Sequence, residues 1–488
     1  ATVVFSHIEC VKTRASLAKV SKLWRGASKP TAAYPRFFDF DGVAGDVADH
    51  LVRLLDDDRV RSLEKERALE LIGVHKDRLC EYACGRNFGV LKWAFNELHL
   101  PWAQYPAEPV SDDILALRAL REMWPKLKEV WPENEQPEDW EGVTMEDGRV
   151  VELRCGGLGL TGAVPVEIGQ LTSLTVLDLP GNQLTSLPAE IGQLTSLTYL
   201  NLGGNQLTSL PAEIWQLTSL RKLWLSRNQL TSLPAVVWQL TTLRVLGLGH
   251  NRLTILPAEI GQLTSLTYLN LEDNQLTSLP AEIWQLTSLR ELYLSRNQLT
   301  SLPVEIGQLT SLTVLDFEDS QLTSLPVEIG QLTSLTALNL SENELTSLPA
   351  EIGLLTSLRE LDLYRNQLMS VPAEIGQLTS LRELNLGYNR LTSLPAEIGQ
   401  LTALEKLGLG ENFLTGVPPE ICQLTSLKSL DLSENHMSSL PAEIGQLTSL
   451  EVLDLSGNQL TSLQAEIREL EAAGCGVDMD GQDVTFDE

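Results

Sequence analysis

Between residues 174 and 460 leucine returns at the first, fourth, sixth and eleventh positions of a unit of 23 residues, thirteen times and almost without variation. The pattern is LxxLxLxxNxL. Its ninth position is Asn182, Asn205, Asn228, Asn251, Asn274, Asn297, Ser320, Asn343, Asn366, Asn389, Asn412, Asn435 and Asn458. Around Leu177 and Leu179 the apolar alternation has period 2, which predicts a short strand. Pro188 lacks a backbone donor and cannot extend it, so the Pro188–Ile191 stretch turns the chain across the back as a short helical or extended turn. In the unit 174–196 the expected core is Leu174, Leu177, Leu179, Leu184, Leu187, Ile191 and Leu194. One unit cannot bury that face alone, whereas stacked units can, each strand pairing in parallel with its counterpart one unit on. The expected fold is therefore α/β: a curved solenoid with a parallel sheet on its concave face and about fourteen coils.

The asparagine column has its own reason. Where the chain leaves the strand, an inward carboxamide can serve both backbone donors and acceptors that no strand partner reaches. Ser320 is too short for this, and Phe317 of the same unit replaces a leucine, so that coil is expected to be looser. The wording of the units, LPxEIGxLxxLxxLxL, resembles leucine-rich repeat proteins, and among them the plant intracellular Ras-group-related kind. That resemblance implies a signalling scaffold. The opening unit, GRVVELRCGGLGLTGAVPVEIGQL, resembles the first repeat of plant-type leucine-rich repeat proteins, preceded by a W-x-G-V motif. Met145 stands where that family has a cysteine, so its capping disulfide is not carried over.

The organisation expected along the chain is a mainly helical N-terminal domain over 1–130, an acidic junction and N-terminal cap over 131–149, repeats over 150–470 and a C-terminal cap over 471–488. Within the first of these, VxKxWR (Val20, Lys22, Trp24, Arg25) resembles the closing helix of an F-box. In that family the motif docks on a Skp-type adaptor of a cullin ubiquitin ligase, which would make Val20 and Trp24 adaptor-docking residues and the repeats a substrate receptor. Further on, Cys84, Gly85, Val90, Leu91, Lys92, Trp93 and Trp102 resemble degenerate ankyrin-like repeats.

Composition narrows the function classes. The net charge of −29 opposes binding to nucleic acid or an anionic membrane. No run of 18 apolar residues occurs to span a bilayer. Six scattered cysteines without CxxC suggest reduced thiols and a cytoplasmic, intracellular location. The six histidines never fall at metal-ligand spacing, and no phosphate-binding glycine loop appears. A protein without catalytic residues, metal or cofactor is expected, binding another protein on the concave face.

Since the buried positions repeat, specificity must lie in those that vary. On the concave face Trp224 and Tyr293 interrupt a polar column, with Tyr199 and Tyr268 two positions earlier in their own units. Arg221, Arg227, Arg290 and Arg296 flank them. Aromatic side chains among arginines are the usual makings of an interface hot spot. The next units are acidic, with Glu272, Asp273, Asp316, Glu318 and Asp319. A smaller cluster joins Tyr364, Tyr388, Arg365 and Arg382. On the back, Trp215, Trp238 and Trp284 fill a slot that is glycine in most units, beside Val236 in place of the usual glutamate. An apolar back patch is expected there.

Overall fold

The computed structural model describes residues 111–460 and 465–480, so the N-terminal readings at Val20, Trp24 and 84–102 lie outside the described residues. From Asp113 onward the chain forms one compact unit. Two strands open it, β1 (Val143–Glu146) and β2 (Arg149–Arg154), joined by the left-handed pair Asp147 and Gly148 and paired antiparallel. Beyond β2 every pairing in the sheet is parallel. The next member is β4 (Val176–Asp178). Strands β6 (Tyr199–Asn201), β7 (Lys222–Trp224), β8 (Val245–Gly247), β9 (Tyr268–Asn270), β10 (Glu291–Tyr293) and β11 (Val314–Asp316) follow in sequence order. Strands β12 to β17 continue the three-residue series to Val452–Asp454, and β18 (Gly476–Asp478) closes it. A second, two-stranded sheet pairs β3 (Thr161–Ala163) with β5 (Gln183–Ser186), beside the longer plant-like opening unit. The result is a curved solenoid with its parallel sheet on the inner face.

Each coil is built alike. The middle residue of each three-residue strand of the main sheet from β4 to β17 is a buried leucine, as at Leu177, Leu223 and Leu292, while the residue before it is half-buried or exposed. In the unit starting at Leu174, all seven expected core residues are buried. The Pro188 nitrogen cannot donate, the chain stays extended there, and Ala189–Gln193 then forms one 3-10 turn. Ile191 N–H donates to Pro188 O and Leu194 N–H to Ile191 O, at 3.2 and 3.1 Å.

The asparagines tie one coil to the next. Asn205 Nδ2 donates to Leu202 O of its own coil (2.9 Å) and to Leu179 O of the preceding one (3.0 Å), while its Oδ1 accepts from Leu184 N–H (3.0 Å). The same three bonds recur at Asn228 and Asn297. Ser320 breaks the series as its length requires. Its hydroxyl reaches Leu294 O at 3.4 Å and Glu318 O at 3.2 Å, but among the described residues nothing takes the Leu299 N–H that an asparagine there would serve. Asn343 Oδ1 accepts from Ser320 N–H as well as Leu322 N–H, and Gln321 is driven to φ 60.

Both ends are capped. Helix α1 (Asp112–Met123) and the short α2 (Leu127–Val130) place Leu117, Leu120 and Leu127 against Val150 and Leu153 in one apolar core. Asp113, 1% exposed, accepts from Val150 N–H at 2.7 Å and pairs with Arg149 at 2.9 Å. The junction 131–149 closes over this end through Trp131 and Trp140, stacked at 4.9 Å, each indole N–H donating to a backbone carbonyl. At the other end α3 (Ala465–Ala472) stops at Gly474, where φ is 102, and leads into β18.

Candidate interaction surface

Parallel, in-register pairing turns each unit position into a row along the inner face. Trp224 ends β7, Gly247 ends β8, Asn270 ends β9 and Tyr293 ends β10, each directly beside the next. Because Gly247 has no side chain, the Trp224 indole lies across it: a Cβ at 247 would stand 2.4 Å from Trp224 Cε3. The indole therefore reaches past β8 to Tyr268, at 5.3 Å between ring centroids, and Tyr268 reaches Tyr293 at 5.4 Å. Three of the four expected aromatics thus form one continuous strip over β7 to β10, within the range in which ring pairs attract. Tyr199 stands apart, its hydroxyl accepting from Asn201 Nδ2 at 3.4 Å. All four are half-buried rather than standing free in solvent.

The strip is held from the side as well. Tyr293 Oη donates to Glu291 Oε2 at 3.0 Å. Burial, reinforced by that carboxylate, holds the Tyr293 phenol protonated well above the ordinary tyrosine range, and burial raises Tyr268 and Tyr199 too. The arginines divide into two kinds. Arg296 is engaged by Glu318 at 3.3 Å and Glu272 at 3.9 Å. Among the described residues Arg221, Arg227 and Arg290 have no carboxylate partner.

The face carries acids at Glu272 and Asp273, one coil before Arg296, and again at Asp316, Glu318 and Asp319 beyond it. His250 Nδ1 lies 2.7 Å from Asp273 Oδ2, and Glu272 is close by. Asp316 carries the largest carboxyl perturbation there. Burial pushes it up to about 6, the Glu318 and Glu272 charges add to this, and a bond from Glu318 N–H partly opposes it. An acid raised in the folded state contributes stability fully below its ordinary value of 3.8, and that contribution is lost as pH rises through 6. Asp316→Asn, which mimics the protonated group, is accordingly expected to stabilise the protein at pH 7.5 by on the order of 1–2 kcal/mol and to change nothing near pH 3.5. Urea titrations of both proteins at both pH values check it, and an equal effect at the two would overturn the assignment.

Two other expected features come out differently. In the smaller cluster Arg365 is occupied by its own neighbours, 5.3 and 5.2 Å from the Tyr364 and Tyr388 ring centres and 3.4 Å from Glu342, and Arg382 is paired with Glu405. The back patch does not exist as an exposed apolar surface. Trp238 and Trp284 are 1% and 2% exposed, Val236 is half-buried, and only Trp215, at 42%, reaches solvent. The slot explains why. Where it holds glycine it abuts the next coil so closely that a Cβ on Gly192 would meet Glu213 O at 2.8 Å; at Trp238 and Trp284 the ring is covered, while at Trp215 it stays exposed. Among the described residues no group of three or more His, Cys, Asp or Glu could hold a metal ion.

A family model for the leucine-rich repeat region matches residues 145–237, 229–316, 282–391 and 373–473. The chain belongs to the leucine-rich repeat family. A leucine-rich repeat protein of Leptospira interrogans has a solved structure 44% identical over 66% of this chain and 82% of that one, with a TM-score of 0.63. The plant peptide hormone receptor RGFR1 in complex with RGF2 is 31% identical over 67% of this chain and 58% of that one, with a TM-score of 0.59. The complex PEPR1-AtPEP1 is 29% identical over 76% and 59%, at 0.60. In sequence, a probable leucine-rich repeat receptor-like protein kinase of Arabidopsis thaliana is 36% identical over 74 residues. These are 15% of this chain, which spans only 8% of that relative's length.

These likenesses correct four expectations. The repeats resemble plant receptor repeat regions and not the intracellular Ras-group-related proteins. For the same reason the cytoplasmic location falls, since receptors of this kind point to an extracellular setting. The expectation of a non-enzymatic protein falls as well, because the curated relative is a receptor-like protein kinase. The cysteine argument fails for a physical reason. Cys155, Cys422 and Cys475 are free but buried singly, and burial pushes the first two up to about 12 and about 11. Such thiols are inert in any compartment and report nothing of its redox state. Nor do the matched relatives support the Skp-type adaptor, whose docking residues Val20 and Trp24 lie outside the described residues. Among the described residues no helix is long and apolar enough to cross a membrane.

Proposed function

We propose that this repeat region is the recognition part of a receptor-type protein, and that it holds a peptide or protein partner on its concave face with the Trp224–Tyr268–Tyr293 strip at the centre. The observation that carries the reading is the strip itself: three rings on one sheet, with Tyr268 in contact with Trp224 on one side and Tyr293 on the other, set in place before any partner arrives. Large aromatic side chains already immobilised lose little entropy on binding, which is why such groups dominate interface energetics. Support comes from the plant receptors whose solved structures, similar to this one, are complexes with RGF2 and AtPEP1. A location outside the cell goes with this reading. For the whole protein, so does a kinase domain beyond the repeats, as in the Arabidopsis relative.

The test is a paired substitution. Trp224→Ala with Tyr293→Ala is expected to weaken capture of the native partner by at least ~2 kcal/mol. The melting curve should shift little, because both rings lie on the sheet surface outside the leucine core. Affinity purification from the native source followed by calorimetry measures both quantities. Undiminished binding with the double variant would remove the partner from this strip.

A further inference from the structure

The cations beside the strip have an arrangement that repeat packing does not explain. In a chain with 65 acidic and 36 basic residues, a surface cation ordinarily finds a carboxylate. Further along the solenoid this is what occurs at four of six cations: Arg365 pairs with Glu342, Arg382 and Lys428 with Glu405, and Lys406 with Glu383, while among the described residues Arg359 and Arg390 have no such partner. Around β7 to β10 it does not. Among the described residues Arg221, Lys222, Arg227, Arg244 and Arg290 have no carboxylate partner. All five are exposed, in the coils that carry the aromatic strip.

We infer that the segment seated on the strip is an acidic peptide with at least one aromatic side chain, its carboxylates meeting the rim of unpaired cations while its ring lies on the indole of Trp224. The inference rests on the reading above and deepens it. A basic segment would meet like charge from Arg221, Lys222, Arg244 and Arg290 along the margin where the strands begin, and a purely apolar one would leave five cations facing a surface from which water is being removed. Gly247 belongs to the same device. It contacts no partner, but its missing side chain lets the indole lie flat against the sheet and present a face. Gly247 is therefore a positioning residue for the platform.

The experiment is selection of a random twelve-residue peptide library, displayed on phage, against the full chain, followed by affinity measurement on the enriched peptides. The expected result is enrichment of Asp and Glu together with Phe, Tyr or Trp. Affinity should drop at least tenfold with Trp224→Ala, with Gly247→Ala and with Arg244→Glu, and fall steeply between 50 and about 300 mM salt as screened ion pairs require. Arg244→Glu alters an exposed side chain and is the control should Gly247→Ala fold poorly. Basic or uncharged peptides that lose affinity with Trp224→Ala would overturn the charge assignment and leave the concave-face reading intact. Acidic peptides indifferent to Trp224→Ala, or no enrichment at all, would overturn the inference, while the concave-face reading is judged separately by capture of the native partner.

Discussion

Asn297→Ala is expected to destabilise the protein by about 3 kcal/mol, one of the largest effects available to a single polar side chain here. The carboxamide accepts from Leu276 N–H and donates to Leu271 O and Leu294 O, all buried, so alanine leaves Leu276 N–H without its acceptor and takes one donor each from Leu271 O, which keeps Asn274 Nδ2, and Leu294 O, which keeps only the longer bond from the Ser320 hydroxyl. Replacing one polar group costs little when its partners return to water, and these cannot. The converse change supports the same reasoning. Ser320→Asn restores the missing acceptor for Leu299 N–H and is expected to stabilise by about 1 kcal/mol. Equilibrium urea unfolding of the two variants beside the parent measures both. A stacked array can lose one coil before the rest, so the comparison needs two probes, one spectroscopic and one by hydrogen exchange at the altered coil. A neutral Asn297→Ala would show that the ladder is ornamental.

Trp238→Ala should cost about 3–5 kcal/mol, whereas Trp215→Ala, in the corresponding slot one coil earlier, should cost less than about 1 kcal/mol. Val236 and Val237 stand beside Trp238 where Glu213 and Ile214 stand beside Trp215, and burial separates the two rings: 1% against 42% exposed. Removing Trp238 opens a cavity between coils that leucines already filling their own places cannot reclaim. Removing Trp215 mostly uncovers surface that was already wet. Melting temperatures of the two single variants decide it, and equal losses would mean that the back turns rearrange around either ring.

The architecture was legible because a leucine-rich repeat declares itself by period. A leucine every few residues and an asparagine every 23 admit one packing solution, and the strand, the 3-10 turn and the carboxamide ladder all follow from what one coil must do for the next. The weak point at Ser320 was legible for the same reason, since a departure from a strict repeat marks the place where a backbone group loses its partner. Candidate aromatics and arginines on the inner face could likewise be named from position alone, because the strand period says which side chains point outward. Several things could not be read this way. The three tryptophans in the glycine slot look alike in sequence, and their burial depends on how neighbouring coils settle over each ring. Nothing in Gly247 announces that it seats Trp224, because the contact crosses from one coil to the next. Arg221 and Arg365 are both arginines beside an aromatic, yet one is free and the other is enclosed by two tyrosines and a glutamate. The one-dimensional repeat determined which residues are buried, and the stacking of unlike side chains across coils decided which of the exposed ones remain available to a partner. That division has a physical cause: core positions see the same neighbours in every coil, while surface positions see whatever the adjacent unit happens to carry.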